Sequence, residues 1–464
     1  MSFLGFSRVD FPFAGSATQF LSANYPGTAF IDNSTLIPPA LASYDEVRNI
    51  GGALWFVINA TWNPQTLAWL QVDPSKPSEA TVYNTTGGLS FFTAAALGGV
   101  ATNQPITFLP AGQVVPTTQY YSDRNKIING DMRIDQRNNG AAITPTASTY
   151  VVDRWKVLIT QSSKLQFGQN DTGVGGPNGF PNDIGILTIA PFTPGASDFF
   201  ALIQLIEGNN VSDLAFGTTS AQPVTLSFWA RANNTGTYGG SLQNSAGTRS
   251  YPFTYAITLP TTYQFFSITI PGDTTGTWVT SGTTAAIELN FGLGAGTSFS
   301  GPASAWASAN YVTATGAFSV VSGSNNLFIT GVQLESGAVA TPFERRSFGT
   351  ELALCQRYCY AENSLLNNVG MFGGTGFFFS SGTRLAIPFK FPVTMRAVPT
   401  FTSTAATTFT TFFDVAVSAL ALDSATTVSS GMVDFTTTGG TNLFADSVLA
   451  NTTTAAQITF SAEL

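Results

Sequence analysis

The chain has 464 residues, of which only 9% are charged and none is histidine, and its formal net charge at pH 7 is −8. Without histidine there is no Ser-His-Asp triad, no Cys-His pair and no imidazole metal ligand. Nucleic-acid binding requires clustered Lys and Arg, which this acidic chain lacks, so we expect no nucleic-acid partner.

The composition is typical of an all-β protein with several domains. Glycine (45 residues) and phenylalanine (39 residues) are abundant, and the many aromatic and β-branched residues argue against disorder. The length suits about three domains of ~150 residues each. The opening MSFLGFSRVDF lacks the basic and apolar parts of a signal peptide. No apolar run approaches the ~20 residues that span a bilayer, so we expect a chain that is made in a cytoplasm and not secreted by itself.

Residues 1–122 are predicted to form a β-rich N-terminal region. A hairpin is expected to pair residues 53–58 with residues 67–72 across an Asn-Pro turn. This hairpin carries three aromatic residues, which form either a sugar-binding platform or the core of a small sheet or subunit interface: Trp55, Trp62 and Trp69.

Residues 123–348 are predicted to form a central antiparallel jelly-roll β-sandwich. Strands with apolar residues at every second position are expected at 225–230, 266–270 and 287–293. Strands at such spacing indicate two packed antiparallel sheets. Polar loops are expected at 170–182 and 233–250, at the rims where binding sites usually lie.

Sugar recognition without catalysis needs exposed aromatic faces, and the candidates are aromatic residues beside the expected loops: Tyr238, Tyr251, Trp278, Trp306 and Tyr311. The alternative interpretation, that most of these five rings pack in the core, stays open. Trp155 and Trp229 lie inside predicted strands, so we expect both in the core.

A pair of carboxylates is the enzymatic option that remains, because glycosidases use two acids ~5–10 Å apart. Asp131, Asp135 and Asp153 are the candidates. Arg133 and Arg154 stand beside two of these acids, which favours structural ion pairs or turn caps. Calcium binding through carboxylates and carbonyl groups stays open, but we predict no cofactor, no metal site and no enzyme.

A strand, a turn and a helix are predicted where the sandwich ends. Phe328, Val332 and Leu334 are expected on one face of the strand, and a proline then ends the ladder. Thr350 is the expected cap of a short helix near residues 350–361.

The only two cysteines, Cys355 and Cys359, are expected on the apolar face of that helix. At a spacing of four residues their Cβ atoms diverge, which disfavours a disulfide. Buried thiols that pack as small apolar groups are the favoured interpretation over a redox or metal role.

The run GVQLESGAVATPFERRSFGTELALCQRYCY resembles a join found in bacteriophage tail-fibre and tail-tip proteins. In that family a carbohydrate-binding-module-like jelly roll is followed by a distal domain. The matching opening, NKIINGDMRIDQRNNG…YVVDRW, begins at Asn125, so the resemblance covers residues 125–360, about half the chain. Cys359 stands where the family often has tyrosine.

The resemblance implies a virion structural protein, a non-enzymatic tail-fibre or tail-tip adhesin that forms a homotrimer. Its N-terminal region would bind tail or baseplate proteins, and the jelly roll would be a spacer or glycan-binding module. Residues 349–464 would form a β-rich tip that contacts a host-surface glycan or protein receptor. There, Phe372, Phe377 and Phe379 are candidates for interchain packing. Two alternatives stay open: a capsid decoration or head-fibre protein, and a polysaccharide depolymerase.

Overall fold

The computed structural model describes residues 124–172, 176–364, 371–372, 375–379, 383–411, 415–437, 445–446, 448–450 and 456–464, and nine strands between residues 46 and 116. The chain forms two compact units, residues 1–121 and 122–464. The predicted fold class is confirmed: these residues form antiparallel sheets, apart from one short parallel pair of strands, with one short α-helix among the described ranges. The division into three domains at residues 122 and 348 stays a prediction.

The first unit contains a five-stranded sheet with the order β1-β2-β5-β6-β7 and two hairpins, β3-β4 and β8-β9. Its strands are β1 Glu46–Ile50, β2 Ala53–Ile58, β3 Ala60–Asn63, β4 Ala68–Gln71, β5 Ser78–Tyr83, β6 Leu89–Ala94, β7 Thr102–Gln104, β8 Ile106–Phe108 and β9 Val114–Pro116.

The predicted hairpin in this unit is wrong in its pairing. β2 pairs with β1 and β5, whereas β4 pairs with β3 and places Trp62 opposite Trp69. An additional strand, β3, precedes the position of the predicted turn and takes the place of β2 as the partner of β4. The packing of the three tryptophan side chains and all predictions for residues 1–45 lie outside the described residues.

The second unit begins with a sandwich of two sheets. A six-stranded sheet has the order β10-β11-β14-β19-β16-β17 and a five-stranded sheet has the order β12-β13-β22-β15-β18. The strands are β10 Thr149–Val152, β11 Trp155–Ile159, β12 Leu165–Asp171, β13 Asn182–Thr188, β14 Phe199–Glu207, β15 Val224–Ala232, β16 Gly236–Asn244, β17 Ser250–Ile257, β18 Gln264–Ile270, β19 Ala285–Ala295, β20 Ser300–Gly301, β21 Thr313–Ala314 and β22 Asn326–Ser336. The short strands β20 and β21 pair with each other.

Apolar residues at every second position of the strands point inward and form the core between these two sheets. The three strands predicted at 225–230, 266–270 and 287–293 are confirmed as β15, β18 and β19. Their inward residues pack together; Phe228 and Phe291 meet edge to face at 5.0 Å between ring centroids. Trp155 is fully buried in this core, as predicted.

A β-bulge at Gly331 changes the faces of β22. The pairing register of β15 with β22 shifts between Ser227 and Trp229, and Gly331 has φ +62°. One inserted residue reverses the alternation. Phe328 therefore lies on the outer face, opposite to Val332, and the prediction that the two share a face is wrong.

The stretch predicted as a loop at residues 233–250 instead contains β16 and the start of β17. Its polar, glycine-rich composition is typical of a loop, but the glycines serve close packing. A Cβ on Gly240 would lie 2.1 Å from the backbone oxygen of Asn290 on the neighbouring strand. The glycine therefore permits a strand where composition alone predicts none.

The predicted helix is confirmed as α1, Phe348–Gln356. Its cap is Ser347, whose hydroxyl accepts a hydrogen bond from the Thr350 backbone nitrogen at 3.3 Å, so Thr350 is not the cap. The helix also ends before Cys359, which begins the next strand, so the prediction of Cys359 on the helix is wrong.

The remaining strands form a separate core. They are β23 Cys359–Ser364, β24 Gly376–Phe379, β25 Arg384–Lys390, β26 Thr400–Ser403, β27 Phe409–Thr411, β28 Val417–Leu422, β29 Ser430–Thr437, β30 Ala445–Asp446, β31 Val448–Ala450 and β32 Ala456–Ser461. The sheet orders are β23-β32-β26, β28-β29-β25-β24-β30 and β27-β31. Phe460 on β32 is fully buried at the centre of a group of aromatic rings.

The opening and closing motifs of the sandwich lie side by side. The Lys126 nitrogen donates to the Leu334 carbonyl at 2.8 Å, and the Val332 nitrogen donates to the Gly130 carbonyl at 2.8 Å. A Cβ on Gly130 would lie 2.1 Å from the Val332 oxygen, so only glycine fits there. The two motifs that carry the resemblance to tail fibres therefore form one joint.

A buried charged cluster connects the end of the chain to this joint. Arg154 is 1% exposed; it donates to Glu463 and to the Leu205 carbonyl. Its guanidinium carbon lies 3.6 Å from the centroid of the Tyr358 ring. Glu463 also pairs with Arg137 at 3.0 Å. The Glu463 carboxylate thus serves two guanidinium groups, and each of the three charges has an opposite partner, which a buried ion pair requires.

In the described part of the chain, no helix has both the length and the apolar character needed to cross a membrane.

Candidate functional site

In the sandwich, the outer face of the sheet β12-β13-β22-β15-β18 carries a cavity of about 300 Å³, which we call the aromatic pocket. It is lined by Phe180, Ser227, Trp229, Phe265, Gly331, Thr341, Pro342, Phe343 and Arg345. The pairing register explains its location. Trp229 on β15 lies opposite Phe265 on β18, and their ring centroids are 5.4 Å apart.

Both of these rings are accessible from outside. Phe265 is 49% exposed, and Trp229 is half-buried. The prediction that Trp229 belongs to the core is therefore wrong. The reason is its neighbour: Phe228 points into the sandwich, and adjacent residues of a strand point to opposite faces.

The bulge at Gly331 forms the floor of the aromatic pocket. A Cβ at this position would lie 2.8 Å from the nearest Phe180 ring atom and 3.2 Å from Trp229 Cδ1. The backbone is also in the left-handed region at φ +62°, where side chains other than glycine are strained. The glycine thus keeps open the space between the two rings.

Replacing Gly331 by valine is expected to close the aromatic pocket and destabilise the protein. A β-branched residue at positive φ is strained by about 1–3 kcal/mol, and its Cβ would push against both rings. We expect the urea midpoint to fall and any ligand of this pocket to be lost. Gly337, at φ +114°, is the control position, because a Cβ added there would meet no heavy atom within 4 Å. An equal loss of binding in Gly337→Val would contradict the role of the pocket floor.

The loop that forms one wall is held by a polar network beneath it. The Thr341 hydroxyl donates to Glu335 at 2.6 Å, and its backbone nitrogen donates to the same carboxylate at 2.8 Å. Gln333 donates to Glu335 at 2.9 Å and accepts from the Glu344 nitrogen at 2.7 Å. The wall of the pocket is thus fixed in place by buried hydrogen bonds.

Arg345 borders the aromatic pocket at its open side. Its guanidinium carbon lies 4.4 Å from the centroid of the Phe180 ring. It donates to the carbonyl of Gly179 and, at 3.5 Å, to that of Asn178. These contacts fix the loop that carries Phe180 and place a positive charge at the rim.

A second cation lies further along the same face. Arg231 on β15 has its guanidinium carbon 4.2 Å from the Phe328 ring centroid and 4.9 Å from that of Tyr263. The Tyr263 hydroxyl donates to buried Asp183. Burial, followed by this carboxylate, raises the pKa of Tyr263 above its ordinary value, so the hydroxyl stays protonated.

This arrangement combines exposed rings with hydrogen-bonding groups at their edges. A sugar ring carries C–H groups on its faces and hydroxyl groups around its edge. Trp229 and Phe265 offer the apolar surface, while Ser227 and Thr341 stand beside it. Such concave sites, mostly apolar with a few fixed polar groups, are typical of small-ligand binding.

The predicted candidate Tyr238 is corrected by the structure. Its ring is fully buried between the sheets, and its hydroxyl donates to the Asn234 carbonyl at 2.8 Å. Desolvation raises the pKa of this hydroxyl to about 12. No part of the ring is available to a ligand. Tyr251, 6% exposed, is also a core residue.

Three of the predicted residues do come together, but in a cluster that packs on itself. Trp306 lies edge-on to Tyr251 at 5.4 Å and to Trp278 at 5.5 Å between centroids. Phe216 fills the centre of this cluster. Tyr311 lies apart, with its ring directly over Gly301. A glycan contact by half-buried Trp278, Trp306 or Tyr311 stays a prediction.

The three candidate carboxylates have structural partners. Asp131 pairs with Arg133, and Asp135 accepts from the Asn138 and Gly140 nitrogens at 3.0 and 2.9 Å, as a turn cap does. Asp153 is fully buried and accepts from Gln136. Desolvation raises the pKa of Asp153 to about 7. The expected pairing of Asp153 with Arg154 is wrong, because that arginine turns to Glu463.

Cys355 and Cys359 are both free and buried, in agreement with the packing interpretation. Desolvation raises the pKa of both thiols well above its ordinary value, so neither forms the reactive thiolate readily. Within the described ranges, no three acidic, cysteine or histidine side chains gather where they could hold a metal ion.

The sequence prediction missed Phe180, Phe265 and Arg345. Two of the pocket residues carry a local signal: in Phe228-Trp229 and Phe265-Phe266, adjacent aromatic residues of a strand must point to opposite faces. One ring of each pair therefore has to lie outside. The contribution of Phe180 and Arg345 depends on loop packing, which no local pattern shows.

No family model matches the chain, and no curated protein matches its sequence. Among solved structures, the chain is similar to the enzymatically active domain of bacteriophage CBA120 tailspike protein 4, with 15% identity over 47% of this chain and a TM-score of 0.26. The match spans 22% of the tailspike chain.

Two further likenesses cover nearly the same share of this chain. A putative sugar binding protein from Bacteroides thetaiotaomicron is 11% identical over 46% of this chain and 100% of its own, with a TM-score of 0.26. The family 11 carbohydrate-binding module of a Clostridium thermocellum cellulase is 10% identical over 43% of this chain and 100% of its own, with a TM-score of 0.23. Because all three TM-scores are below 0.5, we draw no function from these likenesses.

Proposed function

We propose that this protein is a non-enzymatic, glycan-binding adhesin of a bacteriophage virion, and that the aromatic pocket is its sugar site. One observation carries the proposal: Trp229 and Phe265 lie side by side and accessible on an open sheet face, above a cavity with fixed polar walls. Two adjacent rings beside a concave, mostly apolar cavity with a few fixed polar groups are the arrangement typical of a small-ligand site.

The virion role is supported by the sequence motifs and by where they fold. The closing motif, which resembles the join of tail-fibre proteins, supplies Gly331, Thr341, Phe343 and Arg345 to the pocket. The opening motif packs against it through paired backbone hydrogen bonds. In this proposal the chain is a homotrimer, the N-terminal unit binds tail or baseplate proteins, and several weak sites act together through multivalency.

The non-enzymatic role is supported by the positions of the carboxylates. Glycoside hydrolysis needs two acids that face a shared sugar bond. The three candidates of the opening motif instead neutralise an arginine, cap a turn, or lie buried on Gln136. Asp183, on strand β13 of the same sheet, is fully buried and accepts from Tyr263 and from Asn170.

Replacing Trp229 by alanine is expected to weaken glycan binding about tenfold or more. A stacked ring contributes about 1.4 kcal/mol, which corresponds to a factor of ten. The full chain and the variant are compared on an array of bacterial surface polysaccharides that includes both acidic and neutral ones, and affinities for the best ligand follow by calorimetry. Phe265→Ala is expected to have a similar effect.

The matched control is Phe377→Ala, which removes a ring that is 60% exposed in the C-terminal region. We expect it to bind like the unaltered chain. Loss of binding in Phe377→Ala but not in Trp229→Ala would move the receptor site to the tip and contradict the proposal. Release of new reducing ends from a bound polysaccharide would contradict the non-enzymatic role.

A further inference from the structure

Two cations on the sheet face that carries the aromatic pocket differ from most other arginines of this unit. Eight arginines lie within 4 Å of a carboxylate oxygen: Arg124, Arg133, Arg137, Arg154, Arg249, Arg346, Arg357 and Arg384. Arg231 and Arg345 have no such partner among the described residues. In a chain with so few charges, one of these two guanidinium groups lines the cavity and the other lies further along the same face.

The contacts of Arg345 leave some of its guanidinium N–H groups available to a ligand. A guanidinium has five N–H donors, and the carbonyls of Gly179 and Asn178 accept from two of its nitrogens. The side chain is exposed, and its body rests on the Phe180 ring. These contacts hold the cation at the pocket rim without neutralising its charge.

Arg231 is held in a similar way by ring faces. Phe328 and Tyr263 lie on its guanidinium, and its Nε is buried without a hydrogen-bond partner in the described structure. The carboxylate beside Tyr263, that of Asp183, accepts a hydrogen bond from the Tyr263 hydroxyl. Arg231 lies two residues along β15 from Trp229, on the same face.

We propose that the aromatic pocket selects an acidic saccharide, a sugar that carries a carboxylate, and that Arg345 and Arg231 are its charge partners. This inference rests on the proposed function. The ring of the sugar lies against Trp229 and Phe265, and its carboxylate accepts from Arg345, since a planar fork matches a carboxylate. Arg231 supplies the second positive charge for a neighbouring acidic residue of the glycan.

The test uses the polysaccharide that binds best on the array, together with the same polysaccharide after chemical reduction of its carboxyl groups to alcohols. The unaltered chain is expected to bind the acidic form at least tenfold more tightly, because a hydrogen-bonded charge pair contributes at least that factor. Its affinity for the acidic form should fall as salt rises.

Arg345→Gln is expected to lose about tenfold more affinity for the acidic form than for the reduced form, because only the acidic form contacts the missing charge. Measurable binding of the reduced form shows that the pocket still forms, and any equal loss for both forms reports on the Phe180 loop that Arg345 holds. Arg231→Gln should lower the affinity for the acidic form in the same direction. Lys390→Gln is the matched control, because it removes one exposed positive charge far along the chain from the pocket; we expect no change.

Three outcomes separate the two proposals. A best ligand without carboxylates, or equal binding of the acidic and reduced forms, overturns the acidic selectivity and leaves glycan binding in place. An unchanged preference in both arginine variants also overturns it. If the unaltered chain binds no polysaccharide of the array, the proposed function itself fails.

Discussion

Replacing Arg154 by methionine is expected to lower the free energy of unfolding by about 3–5 kcal/mol, because it removes one partner of a buried ion pair. The side chain is 1% exposed, and its loss deprives Glu463 of one cation and the Leu205 carbonyl of a donor. Arg154 also has φ +70°. Methionine retains that backbone cost, so the change in stability reports on the guanidinium. Urea unfolding followed by fluorescence measures it.

Arg384→Met is the matched control for this experiment. Arg384 also contacts two carboxylates, Asp423 at 3.0 Å and Asp434 at 2.8 Å, but its side chain is 40% exposed. Solvent screens such pairs, and we expect a loss below about 1 kcal/mol. A loss of similar size in both variants would show that the buried cluster does not hold the end of the chain.

Replacing Phe460 by alanine is expected to cost about 3–5 kcal/mol, as the loss of a fully buried aromatic ring usually does. Phe460 lies between Tyr360 and Phe401 in the pairing register of the three-stranded sheet. Its ring centroid is 4.8 Å from that of Phe389 and 5.2 Å from that of Phe391. Truncating Phe460 to alanine would leave a cavity, because the surrounding aromatic rings cannot all move inward to fill it.

The same measurement on Phe379→Ala provides the comparison. That ring is 45% exposed on the outer face of the neighbouring sheet, so we expect a change within about 0.5 kcal/mol. If Phe460→Ala unfolds at the same urea concentration as Phe379→Ala, the ring at the centre of this core does not stabilise the C-terminal region.

Much of the fold could be predicted from alternation alone. The strands β15, β18 and β19 have regular apolar positions and are observed where that alternation predicts them. The prediction of strands and their faces fails where a glycine interrupts the alternation of inward and outward residues or allows close packing of two backbones. The bulge at Gly331 reverses the faces of β22, and Gly239-Gly240 allows a strand in a segment with the composition of a loop.

The candidate site is harder to predict for a physical reason. Tyr238 is predicted to be exposed because residues 233–250 have the composition of a loop. In the structure that tyrosine lies on β16 and points inward. The aromatic pocket uses the outer face of a sheet, and its walls come from residues far apart in the chain, such as Phe180, Trp229 and Phe343. Only the pairing of β15 with β18 and β22 brings them together.

The paired joint between the opening and closing motifs has a consequence for how such chains evolve. Because the Lys126 and Gly130 backbones bond directly to those of Leu334 and Val332, the polypeptide enters and leaves the sandwich at neighbouring points. Insertions and deletions in the loops of the sandwich can therefore accumulate while the sequences on either side keep nearly the same separation in space.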